Sequence, residues 1–197
     1  RITLKKGFNF LKLKQSYFFS IITGKPVHRG APVFLSVEPT TSCNLHCPQC
    51  FRSQSSFTRP RGNMTENNMQ KILEEFSGHA FYLNLYFQGE PFLNPELTKF
   101  ISMAKQFGFY VVVSTNGHFL DEMMSHKLIS SGLDRLIVSL DGTDAATYQE
   151  YRKNGSFDKV ISGIQTLVAV KKKMKKKYPF IELQFVLTRK NQHQRHE

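Results

Sequence analysis

Three cysteines, Cys43, Cys47 and Cys50, lie within one stretch of eight residues, and the chain has no others. Thiolate sulfur is a soft ligand that selects zinc, copper(I) or iron–sulfur centres, and one loop with three such ligands can wrap a metal ion or a cluster. A [4Fe–4S] cluster normally takes four cysteines, so three would leave one iron open to a further ligand. A zinc site completed by His46 or a more distant histidine is an alternative, and inert core cysteines are another.

The elements that must position these cysteines begin at residue 33, where apolar runs start to alternate with helical patterns. This alternation predicts right-handed βαβ units and therefore an α/β fold with a parallel sheet. Asn94 is predicted to cap a helix whose first residue is Pro95. The predicted strands span 33–37, 81–87, 110–114, 136–140 and 181–187, and the predicted helices span 66–76, 95–107, 121–131, 144–151 and 157–173.

Residues with chemical potential follow each of the first four predicted strands. Residues 38–50, called the cysteine segment below, follow the first strand. Gln88-Gly89-Glu90-Pro91 follow the second, Thr115-Asn116-Gly117 the third and Asp141-Gly142 the fourth. The carboxyl ends of parallel strands share one edge, where βα loops converge and active sites form. The sequence therefore predicts one site built from four loops.

Composition limits the class of protein. The 197 residues include 40% hydrophobic and 21% charged residues, which argues against disorder. No apolar run reaches the roughly 20 residues that span a bilayer, so no transmembrane segment is predicted. The clustered cysteines do not resemble a disulfide framework, which indicates a reducing compartment and a cytoplasmic location. The net charge of +12 leaves an acidic partner, nucleic acid or a membrane surface open as binding partners.

The two ends of the chain are interpreted separately from the core. Residues 5–22 have the spacing of an amphipathic helix, either a cap on the open end of the core or a basic helix on a membrane surface. Residues 1–30 are thus predicted to be a helical extension and residues 31–197 a core incomplete at its C-terminus. The lysine-rich run 171–177 is interpreted as a solvated helix end, with an acidic partner as the alternative.

Taken together, the motifs resemble the radical S-adenosylmethionine (radical SAM) superfamily. The C-x3-C-x2-C segment of residues 43–50 is the first motif, and residues 88–91 are similar to the family's Gly-Gly-Glu motif. Residues 114–117 are similar to the loop after the third strand. Residues 139–142, followed by 148–152, are similar to the SPASM-type branch, which includes sulfatase and peptide maturases. The resemblance covers roughly residues 33–190.

The resemblance implies a partial (β/α)6 barrel of parallel strands, truncated after about the fifth strand. It also implies that Cys43, Cys47 and Cys50 hold a [4Fe–4S] cluster whose open iron binds S-adenosylmethionine. Reduction by an external flavodoxin-like or ferredoxin-like donor would cleave the sulfonium and give a deoxyadenosyl radical, which abstracts hydrogen from a substrate. The resemblance assigns no other catalytic residue.

The same resemblance implies contacts to S-adenosylmethionine. Glu90 would face the ammonium, Ser139 and Asp141 the ribose hydroxyls, and Arg152 the methionine carboxylate, which a guanidinium matches bidentately. Gln49 departs from the aromatic residue that usually precedes the third cysteine. The implied cofactor-binding residues are Gln88, Gly89, Glu90, Asn116, Ser139, Asp141 and Arg152.

A peptide or protein substrate is the expectation for the SPASM-like branch, although the cysteines that such enzymes use for auxiliary clusters are absent from this sequence. Two other functions stay open. One is a radical SAM enzyme that modifies transfer RNA, and the other is a non-enzymatic binding module stabilised by zinc. Nucleic acid is the less favoured partner because the lysine run stands apart from the aromatic residues.

Overall fold

The computed structural model describes residues 3–196 and contains one parallel sheet of five strands in the order in which they occur along the chain. Every neighbouring pair of strands is parallel. This confirms the predicted α/β class and the partial barrel of parallel strands. The strands are β1 (Phe34–Ser36), β2 (Tyr82–Asn84), β3 (Tyr110–Thr115), β4 (Arg135–Ser139) and β5 (Phe180–Gln184).

Six α-helices accompany the sheet in the described residues, and side-chain caps start most of them. Thr65, Asp121, Asp144 and Ser156 each accept a hydrogen bond from the backbone N–H three residues on, which satisfies a donor that the first helical turn leaves free. The helices are α1 (Leu4–Thr23), α2 (Glu66–Phe76), α3 (Leu97–Gln106), α4 (Glu122–Ser130), α5 (Ala145–Tyr151) and α6 (Phe157–Lys173).

The hydrophobic core lies between one face of the sheet and the helices. Successive strand residues point to opposite faces, so alternate positions enter this core. Phe100 of α3, Leu128 of α4 and Leu167 of α6 are fully buried in the same cluster. The strand residues of the core include Leu83, Val111, Val113, Leu136 and Val138.

The other face of the sheet carries more polar residues than the core face. Phe34, Tyr82 and Tyr110 are in register there, and their rings stack with centroids 5.1 and 5.3 Å apart. This aromatic row lies at the amino ends of β1 to β3. The predicted site residues lie at the opposite, carboxyl ends.

The prediction that Asn94 caps a helix beginning at Pro95 is wrong, because α3 begins at Leu97. Asn94 is used otherwise: its amide donates to the carbonyls of Pro39 at 2.7 Å and Met64 at 3.1 Å, while its Oδ1 accepts from Glu96 N. These bonds hold the chain in a turn and delay the helix.

Strands β2 and β5 are shorter than predicted, ending at Asn84 and Gln184 instead of residues 87 and 187. Beyond Gln184 the backbone leaves the sheet ladder, and Val186 N–H donates to the Asp141 side chain. The apolar run after β2 continues into the loop, where Tyr86 and Phe87 line the cavity described below.

Candidate active site

A cavity of about 230 Å³ lies at the carboxyl ends of the strands, and all three cysteines line it. The structure thus brings together six of the seven cofactor-binding residues implied by the sequence. Asp141 is the exception, since it lies behind the cavity wall. The six are Gln88, Gly89 and Glu90 after β2, Asn116 after β3, Ser139 at the end of β4 and Arg152 after α5.

The cysteine thiols are free, with Cys47 buried and Cys43 and Cys50 half-buried. Burial raises the pKa of the Cys43 and Cys47 thiols, so a bound metal or nearby positive charge is needed to favour their thiolates. Two donors already face the sulfur atoms: Leu45 N–H lies 3.4 Å from Cys43 Sγ, and Arg152 Nη1 lies 3.7 Å from Cys47 Sγ. These are contacts that stabilise thiolate charge.

The donor set fits an iron–sulfur cluster better than a single metal ion. Within residues 3–196, no three cysteine, histidine or carboxylate side chains are grouped closely enough to hold one ion. A mononuclear zinc site needs every ligand within about 2.0–2.3 Å of one point. Cluster ligands bind different iron atoms and stand further apart, so three cysteines around one cavity can serve a cluster without converging.

Gly89 brings the loop after β2 directly against the cysteine segment. A Cβ atom at this position would lie 1.9 Å from the Thr40 carbonyl oxygen and 2.9 Å from that of Ser42. The neighbouring Glu90 N–H donates to Ser42 O at 2.8 Å. The glycine is therefore required by contact between two stretches of backbone.

Glu90 connects the loop after β2 to the loop after β3. Its buried carboxylate accepts hydrogen bonds from Thr115 Oγ1 at 2.7 Å, Asn116 N at 2.8 Å and Phe92 N at 3.2 Å. Burial raises the pKa of Glu90 to about 7, although these hydrogen bonds favour the ionised form. Glu90 reaches the cavity with its oxygens already bonded, and its contact with an ammonium stays a prediction.

Arg152 reaches the cavity because Asp141 holds it from behind. The fully buried Asp141 forms an ion pair with Arg152, in which Arg152 Nε lies 2.6 Å from Asp141 Oδ2. Its other oxygen, Oδ1, accepts from Val186 N–H at 2.7 Å. Asp141 thus contacts Arg152 and the chain after β5, and its contact with ribose stays a prediction.

Asn116 and His118 connect the loop after β3 to two other segments. Asn116 Nδ2 donates to Asn44 Oδ1 at 2.8 Å, inside the cysteine segment. His118 is buried, and its Nε2 accepts from Ser156 N–H at 2.9 Å. Its Nδ1 therefore carries the proton and faces the Asn116 oxygens. Burial lowers the pKa of His118, consistent with this neutral tautomer.

Glu38 is a site residue to which the sequence interpretation assigned no role. Its Oε1 accepts hydrogen bonds from Gln88 N–H at 2.9 Å and Gly89 N–H at 3.1 Å, so it fixes the backbone of the loop after β2. A signal was present, because Glu38 follows Phe34 and Ser36 at alternate positions and so continues their face of the sheet. Other lining residues to which the sequence assigned no role are Arg52, Ser53, Tyr86, Phe87 and Tyr151.

Two curated relatives are similar in sequence to this chain. AdoMet-dependent heme synthase from Methanosarcina barkeri is 31% identical over 139 residues, which cover 70% of this chain and 40% of the relative. Mycofactocin maturase MftC from Mycobacterium tuberculosis is 29% identical over 162 residues, which cover 82% of this chain and 39% of the relative. The chain thus spans about 40% of the length of these curated relatives.

Solved structures show the same fold. SuiB from Streptococcus suis, solved bound to S-adenosylmethionine, superposes with a TM-score of 0.65 at 19% identity, covering 80% of this chain and 35% of SuiB. SuiB bound to precursor peptide SuiA gives a TM-score of 0.66 at 18% identity, covering 80% of this chain and 34% of SuiB. The family model described as the radical SAM superfamily matches residues 37–179, from the end of β1 to the start of β5. This match covers the cysteine segment and every loop that lines the cavity, and the chain belongs to the radical SAM superfamily.

Proposed function

We propose that this chain is the catalytic portion of a radical SAM enzyme and that Cys43, Cys47 and Cys50 hold its [4Fe–4S] cluster. The observation that carries the proposal is the single cavity shared by these cysteines and Arg152 at the carboxyl ends of the parallel strands. Radical SAM enzymes bind such a cluster together with S-adenosylmethionine. When bound here, the pair would supply reductive cleavage of the sulfonium and a radical that abstracts hydrogen from a substrate.

The residues around the cysteines would orient S-adenosylmethionine. Arg152 presents a cation beside Cys47 and would contact the methionine carboxylate, because Asp141 fixes the guanidinium in place. Ser139 would contact the ribose and Glu90 the ammonium. Gln88, Gly89 and Asn116 complete the wall, and Glu38 holds the first two by their backbone.

The test of cluster binding is anaerobic reconstitution with iron and sulfide, followed by iron and sulfide analysis and Mössbauer spectroscopy. Changing any one of Cys43, Cys47 or Cys50 to Ala is expected to abolish cluster assembly. Ser55→Ala is the matched control, since Ser55 follows shortly after Cys50, is exposed and does not line the cavity. A cluster that survives in all three cysteine variants, or a colourless protein with tightly held zinc, would contradict the proposal.

The test of activity is the release of deoxyadenosine when reductant and S-adenosylmethionine are added to the reconstituted protein. Deoxyadenosine formation that depends on all three cysteines supports the proposed chemistry. A protein that assembles the cluster and binds S-adenosylmethionine without cleaving it in the presence of reductant would contradict the enzymatic part alone. A flavodoxin-like or ferredoxin-like protein would be the electron donor in a reducing, cytoplasmic setting.

The proposed substrate is a peptide or protein, as in the SPASM-type branch. Support comes from residues 139–152, which resemble that branch, and from the likeness to mycofactocin maturase MftC. The solved SuiB holds a precursor peptide, although its likeness to this chain is one of fold. The likeness to a heme synthase favours a tetrapyrrole as the second candidate. A peptide that raises deoxyadenosine formation, while iron coproporphyrin does not, would support the first and exclude the second.

A further inference from the structure

Helix α1 differs from the usual surface helix because its apolar residues face outward and its polar residues face the protein. Leu4, Phe8, Leu11, Phe18 and Ile22 are spaced at intervals of three, four and seven residues, which places them in one stripe along the helix. Their exposed fractions lie between 55 and 85%. We call these five residues the α1 stripe, and no other part of the described residues 3–196 covers it.

The inward side of α1 is polar and hydrogen-bonded to the segment that follows the helix. Asn9 exchanges two hydrogen bonds with the backbone of Ala31, at 2.9 and 2.8 Å. Ser16 accepts from Arg29 N–H at 2.7 Å, and Ser20 accepts from Val27 N–H at 2.9 Å. The helix is therefore fixed to the protein by polar contacts, and its orientation leaves the stripe outside.

The charges around α1 favour an anionic partner. The first acidic residue of the chain is Glu38, so nothing before it carries negative side-chain charge. At about 100° per helical residue, Lys5 and Lys12 lie along one edge of the α1 stripe. Lys14 lies along the other edge, between the stripe and a second row of exposed apolar residues, Phe10, Tyr17 and Ile21. All three lysines are exposed. A second copy of the same helix would bring lysines against lysines, whereas an anionic lipid surface matches both edges at once.

We propose that α1 lies flat on an anionic membrane surface, with the α1 stripe inserted among the lipids and Lys5, Lys12 and Lys14 at the level of the phosphate groups. Apolar side chains on one face and lysines at its edges are the features that bind a helix in the interfacial plane. No helix within residues 3–196 combines the length and apolarity needed to cross a bilayer, so α1 would rest on the surface without spanning it.

The experiment is co-sedimentation of the chain with vesicles of phosphatidylcholine alone or mixed with phosphatidylglycerol. Wild-type protein is expected to bind the mixed vesicles and to dissociate as ionic strength rises. The double change Phe8→Glu with Phe18→Glu should weaken binding at least about tenfold, since two large apolar groups are lost from the lipid. Each change of Lys12 or Lys14 to Gln should weaken it about fivefold. Met123→Glu is the matched control, because Met123 on α4 is exposed to the same degree as Phe18.

A second readout reports insertion directly, because the chain has no tryptophan. Phe18→Trp should shift its fluorescence emission to shorter wavelength on mixed vesicles, and Met123→Trp should not. Equal binding to both kinds of vesicle, no binding, or an unshifted Phe18→Trp spectrum would overturn the proposal. So would a dimer in light scattering that Phe18→Glu dissociates without any vesicle binding, since the partner would then be a second copy. Unchanged circular dichroism of each variant shows that α1 remains folded.

Discussion

Replacing Gly89 with alanine should separate the loop after β2 from the cysteine segment. The added Cβ would lie 1.9 Å from Thr40 O and 2.8 Å from Thr40 C, both of them backbone atoms. Non-bonded carbon and oxygen atoms do not approach so closely, so the two stretches of backbone must move apart by about an ångström or more. No rotation of a side chain can relieve this contact.

The cost follows from the hydrogen bonds that depend on this approach. Glu38 accepts from Gln88 N and Gly89 N, and Glu90 N donates to Ser42 O. Three hydrogen bonds at about 1 kcal/mol each, with about 1–3 kcal/mol for overpacking, give a loss of about 4–6 kcal/mol in the free energy of unfolding. This is a large part of the roughly 5–15 kcal/mol that stabilises a domain.

Urea denaturation of the 197-residue chain, followed by circular dichroism, measures this loss. Gly62→Ala is the matched control, since it lies near the same segment and its added Cβ would meet no atom within 4 Å. Gly62→Ala should change the free energy of unfolding by less than about 1 kcal/mol. If Gly89→Ala and Gly62→Ala unfold at the same urea concentration with the same slope, the close backbone contact does not hold the site together and the reasoning fails.

Three further predictions concern buried ionisable groups. Because the pKa of Glu90 rises to about 7 on folding, this side chain binds more proton in the folded than in the unfolded chain between about pH 4.5 and 7. Its contribution to stability should therefore fall by about 3 kcal/mol as pH rises through this range, and Glu90→Gln should remove that contribution in urea titrations. Arg152→Ala should leave Asp141 buried without its cation, which costs about 3–5 kcal/mol of stability. The same change should weaken S-adenosylmethionine binding in calorimetry of the reconstituted protein, and unchanged affinity would contradict the assigned contact. Because burial lowers the pKa of His118, the contribution of this side chain has the opposite sign and falls as pH drops below the unfolded value of about 6.5. His118→Phe should cost about 1–3 kcal/mol in urea denaturation at pH 8, because Ser156 N–H loses its acceptor.

The sequence predicted the sheet well because its strands are runs of apolar residues that end at recognisable turn residues. The ends of α3 and α4 were predictable too. Gly108 and Gly132 follow these helices with φ of +76° and +82°, a backbone conformation that favours glycine. The ends of β2 and β5 and the start of α3 were less predictable. The end of β5 depends on the distant Asp141 side chain, to which Val186 N–H donates, and the start of α3 depends on the Asn94 side chain, which donates to the distant Pro39 carbonyl. No local pattern contains either bond.

The site was predicted in composition but not in its connections. The spacing of the cysteines and the loop motifs gave most of the residues that line the cavity. Sequence could not show that Asp141 supports Arg152 from behind, because the pair depends on where α5 packs against the end of β4. Nor could it show that the space beside Gly89 is filled by the Thr40 carbonyl.

These connections determine how the three sulfur atoms are held. The cysteine segment is bonded to the loop after β2 through Ser42, to the loop after β3 through Asn44 and to the end of α5 through His46, whose N–H donates to Lys153 O at 3.2 Å. Each bond leads to an element fixed by the core, so these contacts position the backbone that carries the thiols. Breaking any one of these three hydrogen bonds should therefore displace the thiols and weaken cluster binding, although none of the bonds involves a cysteine.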